Sequence, residues 1–204
     1  TASGLGLTVS SDGKIAISGS VTGGLLTDPN VGTASEGGTK NFEGQEAGKS
    51  DSFVTVFDKD GQEMWTQRSG NRDEDEAVSV AFGADGSVYT LGRTKGAILG
   101  SSSAGGWDNT LRSYTADGKL VSSTQFGASG DDKPAGLVVS GSRVVVATVE
   151  GGAGKLRSFD FASPGKPVES ATRDLGMLGG GSIAGITLEG GSLIVAGTTG
   201  AALS

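Results

Sequence analysis

One pattern is written about four times along this chain, with turns recurring about 57 positions apart. One copy runs from Asp51 to Gly70 (DSFVTVFDKDGQEMWTQRSG) and on from Glu76 to Leu99. The next runs from Asp108 to Gly127 and from Ala135 to Gly152. A third covers Lys155 to Phe161 and Ile183 to Gly200. The opening, Gly4 to Leu26, matches only the second half of a copy. A repeat of this length outweighs any local signal, because it points to one supersecondary unit stacked on itself.

Each copy reads as two β-hairpins. The first, Phe53 to Gln67, alternates apolar and polar residues around Asp60-Gly61. The second, Ala77 to Gly92, does so around Asp85-Gly86. Asp117-Gly118 and Asp12-Gly13 fall at the corresponding places. Asp-Gly between alternating strands is a strong hairpin signal, because glycine takes a positive φ without a steric penalty. Four strands per copy at this spacing predict an all-β fold, a β-propeller of four-stranded antiparallel blades. About four repeats are present, as an incomplete arc of a larger propeller. The second hairpins are rich in Ala, Val and Gly (Leu137 to Val149, Ile186 to Thr198), which suits crowded inner strands covered on both faces. The first hairpins carry Phe53, Phe57, Trp65, Tyr114 and Phe159, which suit the wider outer part. Residues 1–204 read as a single propeller domain or fragment, with residues 23–50 inserted as a rim loop. The only helix-compatible stretch, Arg72 to Glu76, is too short to stand alone. The chain opens on a second hairpin that lacks its first, and the final Gly197 to Ser204 resembles Gly92 to Ser101, the lead-in to another first hairpin. Both features predict a piece of a longer polypeptide.

Composition narrows the chemistry. The 204 residues include 38 glycines but neither cysteine nor histidine. Thiol catalysis, Cys/His zinc sites and serine–histidine triads are excluded. The net charge of −7 leaves no basic stripe for phosphates, so nucleic acid is not an expected partner. No apolar run approaches the roughly 20 residues of a membrane span.

The stretch Asp51 to Leu99 resembles the bacterial β-propeller repeat family known as SBBP. The residues that carry the likeness are Asp51-Ser52-Phe53-Val54, Asp58-Lys59-Asp60-Gly61, Met64-Trp65, Asp73-Glu74 and Gly86-Ser87-Val88-Tyr89-Thr90-Leu91-Gly92. Gly130-Asp131-Asp132 repeats the acidic step. Other copies depart from the pattern: Ser122 replaces Trp65, and Gly180-Gly181 replaces the acidic step. The resemblance implies a propeller in an exported or cell-surface bacterial protein, often one module among several. It also implies kinship with relatives grouped as motility or flagellar regulators.

Four acidic residues in the recurring step, Asp73, Glu74, Asp131 and Asp132, are candidates either to accept hydrogen bonds from turn N–H groups or to hold calcium; no other cofactor is expected. Asp58 to Glu63 looks superficially like a calcium loop but reads as a hairpin turn. Trp107, Asp28 and Asn30 are candidate binding residues, Trp107 for its place between Gly106 and Asp108 and the other two for the inserted loop. Glu63 and the run Asp73 to Glu76 are the carboxylates open to glycosidase chemistry. No catalytic residue is assigned. The expected function is a non-catalytic exported or surface module that binds a protein or glycan partner, or is completed by further blades of its own polypeptide. The alternative is a flagellum- or motility-associated accessory domain, and the third reading is a rim-loop glycoside hydrolase.

Overall fold

The computed structural model describes residues 1–22, 49–71, 73–98, 100–161 and 167–201. Strands β1 (Ala2–Val9), β2 (Ile15–Val21), β3 (Asp51–Phe57) and β4 (Glu63–Ser69) form a first antiparallel sheet in chain order. A second sheet holds β5 (Asp75–Phe82), β6 (Val88–Thr94), β7 (Asp108–Tyr114) and β8 (Leu120–Phe126). A third holds β9 (Lys133–Ser140), β10 (Arg143–Glu150), β11 (Ala153–Asp160) and β12 (Val168–Met177). Strands β13 (Ser182–Glu189) and β14 (Ser192–Thr198) pair as a two-stranded sheet. The described residues contain no helix, and none of the sheets closes on itself. Asp75 and Glu76, expected in the helix-compatible run, instead begin β5.

The sequence repeat and the sheet are out of phase. The copy from Asp51 to Leu99 is divided between two sheets: its first hairpin, β3–β4, pairs with the upstream β2, and its second, β5–β6, pairs with β7. A sheet is therefore one second hairpin followed by the next copy's first hairpin. Full ladders fix this, with Ile15 opposite Phe57 and Val88 opposite Tyr114.

All four Asp-Gly turns have one geometry. The glycine N–H donates to the carbonyl three residues back, from Gly13 to Ser10, Gly61 to Asp58, Gly86 to Gly83 and Gly118 to Thr115. All four glycines sit at φ between 80° and 86°. This is a tight turn closed by a left-handed residue, the bulged form of a short hairpin loop. Asp58 Oδ1 also accepts from the N–H groups of Asp60 and Gln62, which fixes that carboxylate within the turn.

The sheets are packed in series, with β1 beside β5, β5 beside β9 and β9 beside β13. Between the first and second sheets lies a core of Ala16, Val54, Val56, Trp65, Val80, Val88 and Tyr114. Between the second and third lies one of Tyr89, Leu91, Leu111, Leu137, Val144, Val146 and Phe159. Strands with neighbours on both sides, such as β6 and β7, are buried almost throughout. Strand β14 has similarly apolar residues but is mostly exposed, because nothing among the described residues covers its outer face.

Candidate functional site

The acidic step falls where one sheet gives way to the next. Asp75 opens β5 and Asp132 immediately precedes β9; both are fully buried. Each faces a second aspartate from the preceding sheet: Asp51 at the start of β3 and Asp108 at the start of β7. A glycine lies between each pair. A Cβ built on Gly70 would stand 2.5 Å from Asp51 Oδ1 and 2.9 Å from Asp75 Oδ2. On Gly127 it would stand 1.7 Å from Asp132 Oδ2 and 3.5 Å from Asp108 Oδ1. Any side chain there would displace a carboxylate, so glycine and the paired aspartates recur together at the repeat spacing.

Backbone N–H groups hold these carboxylates. Asn71 N–H donates to Asp75 Oδ2 at 2.9 Å, and Ala128 N–H to Asp132 Oδ2 at 3.0 Å. Asp108 Oδ2 accepts from Ala104 N–H and from Gln125 Nε2, at 3.0 and 2.7 Å. Asp51 Oδ2 accepts from Arg68 Nε at 2.5 Å. The second oxygens of Asp75, Asp108 and Asp132 are buried without a hydrogen-bond partner. Burial pushes the Asp75 carboxyl up to about 7 against the pull of Arg112, with Asp51 adding repulsion. Burial likewise raises Asp132 to about 7, helped by Glu150 and Asp108.

A pH prediction follows. The unfolded chain ionises these two carboxyls near 3.8, so their contribution to stability is complete below that value. It is lost as pH rises through about 7, where the folded state must also ionise them. The urea midpoint is expected to be higher at about pH 5 than at about pH 8. Asp75→Asn with Asp132→Asn should flatten the difference. Equal midpoints for the natural chain would refute the assignment.

Asp73, Glu74, Asp131 and Asp132 do not form one set. The first two belong to the junction after β4 and the last two to the junction after β8. Asp131 Oδ1 accepts from Trp107 N–H at 3.1 Å, and Glu74 pairs with Lys95. Among the described residues no three acidic side chains gather at ion-holding spacing. Asp28 and Asn30 lie outside the described residues.

Trp107 is half-buried beside β6. The Arg93 guanidinium carbon stands 4.2 Å from its ring centroid and the Lys95 ammonium 5.0 Å. Arg93 is also held by Glu76 at 2.8 Å. The result is a surface platform of one indole and two cations, each with a carboxylate partner. Contacts of this kind are worth about 0.5–1 kcal/mol each at exposed sites. Trp65, by contrast, is core.

The glycosidase candidates are not brought together. Glu63 opens the seven-residue β4 and the acidic run follows its far end, about 20 Å away at strand rise, well beyond the separations such chemistry uses. A groove of about 580 Å³ between the first and second sheets is lined by Asp12 and Asp85. Lys14 and Ser10 hold Asp12 down at about 2, and Ser87 holds Asp85 low. None of the carboxyls raised by burial, Asp51, Asp75 and Asp132, lines this groove.

Sequence reasoning gave no role to Asp51, Asp75 and Asp108 as partners. The available signal was their shared offset with Gly70 and Gly127, which marks a constraint common to two junctions.

No protein-family model matches the chain. It is 37% identical over 230 aligned residues to a protein of Caulobacter vibrioides (strain ATCC 19089 / CIP 103742 / CB 15) named regulatory protein FlaEY. The match takes in 97% of this chain but spans only 23% of that relative's length. No α-helix among the described residues is long and apolar enough to cross a membrane.

Proposed function

We propose that this chain is an arc of a β-propeller, built of four-stranded antiparallel blades, that serves as a non-catalytic module of a larger motility-associated regulatory protein. The observation that carries the reading is the match to FlaEY, which runs almost from end to end of this chain yet takes up under a quarter of the relative. A module within a longer regulator accounts for both proportions. It favours the motility alternative over a free-standing exported module.

The propeller itself is supported by the serial packing of β1, β5, β9 and β13. These first strands lie next to one another, while the large aromatics of the sheets, Phe82 on β5 excepted, sit on later strands. That is how blades crowd around an axis and diverge from it. The SBBP-like motifs at Asp51 to Gly92 agree with it. The Trp107 platform is the surface we assign to a protein partner, since an aromatic flanked by Arg is a common anchor of interfaces. Flagellum association fits the same reading.

The test is an in-frame deletion of this segment from the gene of the parent protein, scored by the swimming halo in soft agar beside immunoblots of the parent protein and of flagellin. A smaller halo with the parent protein at its normal level is expected. A normal halo would overturn the motility assignment.

A further inference from the structure

We propose that Asp108 and Asp132, buried where the second sheet gives way to the third, hold a calcium ion between their carboxylates. The inference rests on a comparison of the two sheet junctions and not on the motility assignment. Both aspartates are fully buried, and Oδ1 of each lacks a hydrogen-bond partner. A Cβ on Gly127 would stand 1.7 Å from Asp132 Oδ2 and 3.5 Å from Asp108 Oδ1. The two carboxylates therefore approach closely enough for one ion to touch both, since calcium–oxygen distances of about 2.3–2.6 Å together span about 5 Å. The next residue, Asn109, is also fully buried with both amide atoms unbonded. Alternation along β7 turns it, with the core residue Leu111, toward the third sheet. Buried polar groups left unpaired are costly, and a hard cation relieves the carboxylates among them.

The first junction neutralises the equivalent pair from within the chain. There Asp51 Oδ2 accepts from Arg68 Nε at 2.5 Å, and Arg112 acts on both Asp51 and Asp75. Two arginines stand against two aspartates. At the second junction Gln125 occupies the position of Arg68. It pairs with Thr110, two residues past Asp108, as Arg68 pairs with Phe53, two residues past Asp51. The Gln125 amide reaches Asp108 Oδ2 at 2.7 Å, as Arg68 reaches Asp51, but it brings no charge.

The arginine of the third sheet does not make up the difference. Arg157 acts on Asp132, but Glu150 holds it at 2.9 and 2.5 Å and Glu169 at 2.8 Å. Glu150 is itself buried, and it repels Asp132 as Asp108 does. An ionised carboxylate is expensive to bury unless a counter-charge accompanies it. The two aspartates leave unmatched the charge that a divalent cation carries. Calcium takes about six to eight hard oxygens. With only two carboxylates in the set, backbone carbonyls and water complete the shell, and the affinity falls in the weak range of about 0.1–1 mM.

Calorimetry of the purified chain tests the site, with calcium chloride added at constant ionic strength and at about pH 8, above the value of about 7 at which Asp132 ionises. One ion per chain is expected to bind. Calcium at about ten times its Kd should raise the folding equilibrium constant about tenfold, read from urea unfolding. Asp108→Asn should weaken binding by about tenfold or more, since affinity follows the charge of the ligand set. Gln125→Arg gives the second junction the cation found at the first. It should weaken binding to the same extent with circular dichroism unchanged, and it carries the test if Asp108→Asn unfolds. Asp75→Asn, at the other junction, should bind calcium as the natural chain does. A natural chain that neither binds calcium nor gains stability from it overturns the proposal. Binding that survives both Asp108→Asn and Gln125→Arg overturns it too. The fall in stability expected between about pH 5 and about pH 8 belongs to the ion-free chain and is measured in chelator. None of these outcomes bears on the halo assay.

Discussion

Replacing Trp65 with alanine is expected to destabilise the chain by about 3–5 kcal/mol, the range for deleting a large buried aromatic. Trp65 lies on β4 of the first sheet, 8% exposed, and its Nε1–H donates to Ala116 O at 3.0 Å in the turn between β7 and β8 of the second sheet. Its ring centroid is 6.0 Å from that of Tyr114. A Cβ on Gly118 would come within 2.6 Å of the indole, so the turn's positive-φ glycine also makes room for the ring. Alanine would open a cavity between the two sheets and leave the Ala116 carbonyl without its donor. Trp65→Phe keeps most of the apolar contact and loses only the N–H, so it should cost about 1–2 kcal/mol. Urea unfolding of both variants measures the difference. A loss under about 1 kcal/mol for Trp65→Ala would mean that the first and second sheets do not depend on this contact.

The contrast between Trp65 and Trp107 illustrates what could be read from the residues. Trp65 sits in an alternating strand, and alternation alone places it in a core. Trp107 follows two glycines and gives no period to read; its position under Arg93 and Lys95 depends on β6 lying beside it. The hairpins were legible for the same local reason. Asp12-Gly13, Asp60-Gly61, Asp85-Gly86 and Asp117-Gly118 encode turns within five residues. The phase of the sheets was not legible, because whether β3 joins β2 or only its own copy is settled by ladders that bridge residues far apart in sequence. The junction aspartates were hidden by their type. A run such as Asp73 to Glu76 reads as a solvated face, and only its position between packed sheets buries Asp75. The exposure of β14 was equally invisible, since burial belongs to the neighbour as much as to the strand.

Gly92→Ala should be the second severe substitution, costing about 3 kcal/mol, at the upper end of overpacking effects. Gly92 lies within β6, opposite Ala77, where β5 carries one bulged residue, Val78, before pairing resumes at Ser79. The bulge brings the Glu76 carbonyl oxygen to 2.0 Å from where a Cβ on Gly92 would stand. Both partners in that clash are backbone, so no rotamer change relieves it. The same device recurs at Gly19, facing Ser3 O at 1.9 Å, and at Gly197, facing Ser182 O at 2.3 Å. Gly61→Ala is the control. Gly61 has φ 80° and nothing within 4 Å of its Cβ position, so it should lose only the left-handed penalty of about 1–2 kcal/mol. The third sheet sharpens the comparison. Thr148 occupies the position equivalent to Gly92, opposite Pro134, with the bulge at Ala135. A side chain is accommodated there, so glycine is required by the local approach of β5 to β6 and not by the repeat as such. Thr148 is itself fully buried and its hydroxyl donates to Glu150 Oε1 at 2.7 Å, so Thr148→Gly should lose that contact as well as the roughly 0.5–1 kcal/mol for freeing a strand residue. If Gly92→Ala were as mild as Gly61→Ala, the bulged carbonyl would have to move without strain, and the inner hairpins would be held by their apolar packing alone.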